Sequence, residues 1–168
     1  KIRHNLSNNL FIRSTTFLHE RAIGLAMPDV PSDRDKGINT TFRKSREHTA
    51  DLMALLKELR TRYPKAKVYL ASSGSGGVSA LFAAGSIGRD LDGVILAGVD
   101  SNQVHAYNHS SVKIPVLMMH HAADSCDSSP FIEAKEIADS YSFTLVPFSG
   151  GAPDSDKNPC SFRTKHGL

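Results

Sequence analysis

The chain has 168 residues, 40% of them hydrophobic and 22% charged, with a formal net charge of +3. These values suit one globular unit with a sizeable core and exclude a disordered or low-complexity chain. The basic residues are scattered and no apolar run approaches the ~18 residues of a membrane span, so neither a nucleic-acid partner nor a spanning helix is expected.

In chain order, residues 10–21 read as a short amphipathic helix and residues 22–27 (AIGLAM) as a buried strand, followed by the loop PDVPSDRDKG. Residues 45–63 carry the clearest helical pattern. Leu52, Leu55, Leu56 and Leu59 recur at helical spacing, Ser45 can cap the start, and Pro64 follows the end. Residues 67–71 read as the next strand, then a glycine turn and a helix from about Gly77 to Ala84. Two apolar, β-branched runs, 93–99 and 114–120, read as strands. Residues 130–141 form a helix with Pro130 near its start, and 143–148 make the last strand. Alternating apolar strands and helices imply an α/β fold, a mostly parallel sheet of about five strands with helices on both faces.

In such sheets function gathers at the carboxyl ends of the strands. Three of these ends carry chemistry: SSGSGG after the 67–71 strand, HAADSC with Asp124 after 114–120, and CSFRTKHGL with His166 after the last strand. The order is nucleophile turn, acid, histidine. A serine hydroxyl attacks an acyl carbon only when a histidine takes its proton, and a carboxylate must hold that histidine in the right tautomer.

The segments VYLASSGSGGVSAL, VPSDRDKG…FRKSREHTADL, VLMMHHAADSC and NPC…KHGL resemble the α/β-hydrolase superfamily, in particular bacterial exported esterase-like hydrolases. The resemblance runs over most of the chain. It implies Asp124 as the triad acid, His166 as the general base, and a disulfide between Cys126 and Cys160 joining their loops. It also implies a carboxylesterase acting on small acyl esters, with no cofactor or metal and a periplasmic or secreted location.

Three departures accompany it. Aligning Val68, Leu70, Gly76 and Gly77 with the superfamily pattern puts Gly74 in the nucleophile place. A one-residue shift restores Ser75 or Ser73. The flanking glycines favour Ser75 and the strand register favours neither, so loss of the nucleophile stays open. With Ser75 as nucleophile, Gly76 would give one oxyanion amide and residues 1–9 the other. The superfamily's first strands and closing helix have no counterpart, which makes residues 1–168 a minimal or truncated hydrolase-like domain; a chain beginning at Lys1 without a signal segment reads as processed or partial. A sheet edge left open in this way leads us to expect a homo-oligomer.

His120 and His121 beside Asp124 match no strong metal-ligand spacing and read as packing or supporting histidines. Asp29, Asp33 and Arg34 read as a loop-holding group. Gly74-Ser75-Gly76-Gly77-Val78-Ser79, with Asp100 ending the next strand, nearly matches a dinucleotide-binding turn, but Ser79 stands where the third glycine belongs. A catalytically impaired, hydrolase-fold binding protein is the third alternative.

Overall fold

A computed structural model of the chain describes residues 9–150, 159–161 and 165–167. Four strands form one sheet: β1 (Tyr69–Gly74), β2 (Gly93–Val99), β3 (Val116–His121) and β4 (Thr144–Phe148). Their spatial order is β1-β2-β3-β4 and every pairing is parallel. Residues joining successive strands form the helices α5 (Gly76–Ile87), α6 (Ser101–His105) and α7 (Phe131–Tyr141). Ahead of the sheet lie α1 (Leu10–Arg13), α2 (Thr15–His19), α3 (Thr40–Arg43) and α4 (Arg46–Arg62). The result is a parallel α/β sheet flanked by helices. No helix among the described residues is long and apolar enough to cross a membrane.

The core follows from the period-two alternation of the strands. Val94 and Leu96 of β2, with Val116 and Met118 of β3, point into one cluster with Val78 and Leu81 of α5, Val104 of α6 and Ile137 of α7. Each of these is at most 3% exposed, so α5, α6 and α7 cover the same face of the sheet. Leu52 and Leu56 of α4 pack behind, on Ala83 and Ile87 of α5. Close packing of α5 on the sheet depends on Gly77, where a Cβ would stand 2.9 Å from Val99 Cγ1. At the opposite end of the sheet the Asp92 carboxylate accepts from Arg60 of α4 (2.8 Å) and from Val68 N–H (2.7 Å). That pair fixes the C-terminus of α4 to the entry of β1.

Among the described residues the sheet has one strand fewer than the sequence suggested, because residues 22–27 are not a strand. Ala22 adopts φ +56° in a turn closed by Ile23 N–H donating to Leu18 carbonyl. Ile23 and Met27 are 50% and 53% exposed. An apolar run needs a neighbouring strand to satisfy its backbone, and none lies beside this one among the described residues. The expected 10–21 helix is divided at Ser14, which serves as both the C-cap of α1 and the N-cap of α2. β1 lies two to three residues further along than the apolar pattern indicated, so Ser73 and Gly74 belong to the strand itself.

Candidate active site

The loop after β3 brings Asp124 to His166, while the C-terminal end of β1 carries the glycine turn. β3 ends at His121, and the next turn is closed by Asp124 N–H donating to His121 carbonyl at 3.1 Å. His121 steadies this turn from both ring nitrogens. Its Nε2 donates to Gly150 carbonyl at 2.8 Å, and its Nδ1 accepts from Ala123 N–H at 3.0 Å. The turn buries Asp124 with its side chain 1% exposed.

Asp124 Oδ2 lies 3.1 Å from His166 Nδ1 and 3.4 Å from His120 Nε2, while Oδ1 accepts from Cys126 N–H at 2.9 Å. Burial is the strongest influence on this carboxyl and pushes its pKa up. The hydrogen bonds from His120, His166 and the Cys126 amide, with the charge of His166, outweigh it and hold Asp124 well below the usual carboxylate range. An ionised Asp124 requires the proton on His166 Nδ1, so the neutral ring carries its lone pair on Nε2. That is the tautomer a general base needs.

His166 is itself 5% exposed, on a short 3-10 turn (Lys165–Gly167) that packs against β2 and β3. The Cys126–Cys160 disulfide, with Cα atoms 4.7 Å apart, ties the loop after Asp124 to the segment approaching His166. The pairing implied by the resemblance is therefore present.

The turn from β1 into α5 carries the candidate serines. Gly74 closes β1 at φ +53°, a left-handed conformation that side chains adopt only with strain. Pairing with β2 slips at this point, from Ser73↔Ala97 to Gly74↔Val99. Ser75 follows with ordinary angles (φ −64°, ψ −10°) as the N-cap of α5, and its side chain makes no capping hydrogen bond. Gly76 opens α5, within the turn whose amides have no intrahelical acceptor. Ser73 Oγ accepts from Asn9 Nδ2 at 3.2 Å. The left-handed corner is thus at Gly74, between the two serines. Of the segment 1–9 expected to give a second oxyanion donor, all but Asn9 lies outside the described residues.

His120 has the packing or supporting place read for it from the sequence, whereas sequence reasoning did not single out Arg43. His120 is fully buried, and its Nε2 donates to Ser129 carbonyl at 2.8 Å while facing Asp124. It is a second buried histidine on the same carboxylate, visible in the sequence only as the pair His120-His121. Arg43 is half-buried and donates to Ser79 Oγ of α5 at 3.2 Å. Burial lowers its pKa. Asp33 and Arg34 form an ion pair at 3.5 Å, and Arg34 also reaches Glu47 at 3.8 Å, in keeping with a loop-holding role. Asp100, weighed as a ribose ligand, instead caps α6 by accepting from Gln103 N–H at 3.2 Å.

No protein-family model matches the sequence, and no curated protein matches it. Among solved structures, the chain is similar to a protein of Xanthomonas campestris pv. campestris described as a candidate hydrolase of the α/β superfamily. The TM-score is 0.53 at 18% sequence identity, over 82% of this chain and 75% of that one. This likeness establishes an α/β-hydrolase-like fold.

Proposed function

We propose that this chain is a hydrolase that cleaves small carboxylic esters, with Asp124 and His166 as its acid–base pair. The observation that carries this reading is the buried 3.1 Å contact between His166 Nδ1 and Asp124 Oδ2. A carboxylate in that position orients the imidazole and stabilises the imidazolium that forms when Nε2 accepts a proton.

Ser75 is the nucleophile this reading favours. Its hydroxyl stands at the strand-to-helix corner without a capping bond, whereas Ser73 Oγ is engaged by Asn9. In the reaction, His166 Nε2 takes the Ser75 proton as Oγ bonds to the acyl carbon, and the Gly76 amide donates to the oxyanion. Collapse breaks the ester C–O bond and His166 returns the proton to the leaving alcohol. Water, deprotonated by the same nitrogen, then releases the acid and restores Ser75. No cofactor enters this sequence of steps. The disulfide supports an exported protein, since such bonds persist in oxidising compartments.

A second reading is favoured by one observation, the positive φ at Gly74. If the left-handed corner is where a nucleophile must stand, no hydroxyl is offered there and the fold serves as a binding protein.

Incubation with a fluorophosphonate probe and mapping of the adduct by mass spectrometry separates the two. The esterase reading expects label on Ser75, abolished in Ser75→Ala, with Asp124→Asn lowering turnover of a p-nitrophenyl ester by about 10²–10⁴-fold. Absence of any serine adduct, with hydrolysis unchanged in His166→Ala, would leave the binding protein.

A further inference from the structure

Away from the strand ends, three donor side chains converge where α6 meets α7. His105 is the last residue of α6, and Glu133 and Glu136 lie one turn apart on α7. His105 Nδ1 is in direct contact with Glu133 Oε2. One ligand atom from each of the three residues lies within 4.8 Å of the others.

Two physical features distinguish this group from an ordinary charged surface. The first is its backing. Each donor is the chain neighbour of a residue that is 0% exposed: His105 of Val104, Glu133 of Ala134, and Glu136 of Ile137. The three backbone positions are thus fixed by packing between two helices, 28 residues apart in sequence at the His105–Glu133 contact. The second is charge. Two carboxylates at i and i+3 repel, and a histidine neutralises at most one of them, only when protonated. The intervening Lys135 is committed to Asp139, with Nζ 2.7 Å from Oδ2. A divalent cation would offset both carboxylates at once.

We infer that His105, Glu133 and Glu136 form a binding site for a divalent transition metal of the zinc class. One imidazole and two carboxylates make a three-ligand set that zinc, cobalt or nickel accepts, with water completing the coordination. Magnesium and calcium prefer all-oxygen sites and suit this set poorly. The bound metal would brace α6 against α7. Ser101 and Asn102 of α6 already hold the loop after Asp124, through Pro130 carbonyl at 3.1 Å and Asp127 carbonyl at 2.8 Å. Its role is therefore structural, and the site stands apart from the Asp124–His166 pair and from any reading of activity.

Calorimetric titration of chelator-treated protein with ZnCl₂ near neutral pH, with melting curves in parallel, tests the assignment. One zinc per chain is expected. The melting temperature should rise by about 5 °C or more when free metal is a hundredfold above Kd. MgCl₂ should give no comparable rise. Glu136 is exposed, so Glu136→Gln should melt like the wild type without metal while binding zinc about tenfold or more weakly. If that variant melts differently, zinc affinities of the two proteins are compared by titration at a temperature below both transitions, under the same expectation. No zinc binding would leave His105 and Glu133 as an ion pair only and overturn the site. Zinc binding that Glu136→Gln does not weaken, or equal binding of magnesium, would also overturn it.

Discussion

The backbone N–H of Asp100 donates to the carbonyl of Gly74 at 3.1 Å, joining the ends of β1 and β2 where their pairing slips by one residue. This bond holds the corner that leads into α5. Gly74 is at φ +53° within it, and any side chain placed there must accept the left-handed conformation.

Gly74→Ser should therefore put a hydroxyl at the left-handed corner at a cost of about 1–2 kcal/mol. We expect a melting temperature several degrees lower, together with p-nitrophenyl ester turnover raised about tenfold or more if this corner is where His166 acts. A variant that folds but hydrolyses no faster than wild type would show that the corner is not addressed by His166.

Reduction of the Cys126–Cys160 bond should loosen the acid and histidine loops together. With the cysteines 34 positions apart in sequence, chain-entropy arguments give about 3–4 kcal/mol of stabilisation. Denaturant unfolding with and without reductant measures it directly. Equal midpoints would show that the bond contributes nothing to stability.

Stability should fall as pH drops below about 6.5. His109 is 4% exposed and burial pushes its pKa down, opposed by its hydrogen bond to Val104 carbonyl. His48 is shifted the same way, by burial and then by Arg43, with Asp51 opposing. A histidine with a depressed folded pKa contributes stability that is complete above its unfolded pKa and lost as pH falls through the folded one. Asp124 follows the same sign in a separate window, retaining its contribution until pH falls below the ordinary carboxylate range. Melting temperatures between about pH 8 and pH 5 should decline, and His109→Gln should flatten the slope. A flat wild-type profile over that interval would contradict the assignment.

The outer edge of β1 has no strand partner among the described residues, and Tyr69 at its start is 48% exposed. Unpaired strand edges recruit other strands. Sedimentation at micromolar protein should give a dimer or larger assembly that Tyr69→Lys shifts toward monomer. A wild-type monomer throughout would dismiss this.

The sequence by itself determined the elements whose environment is uniform along their length. Residues 93–99 read as a buried strand and are β2 to the residue, because a central strand is apolar nearly throughout and needs only its own composition to be recognised. The 45–63 helix was equally legible from leucine spacing and its Ser45 cap, which accepts from His48 N–H at 3.0 Å. The meeting of Asp124 and His166 could be anticipated because each follows a strand, and parallel strands deliver their C-terminal ends to one rim. Tertiary structure decided what depends on a partner elsewhere in the chain. Residues 22–27 have the composition of a strand but no ladder to join, and remain a solvent-exposed segment. The register of β1, and with it the placing of Gly74 rather than a serine at positive φ, is set by its pairing with β2. His120 reaches Asp124, and His105 reaches Glu133 and Glu136, only because the packing of separate elements closes those distances. Local sequence carries periodicity and caps, whereas a side chain's partner across the fold is chosen by that packing.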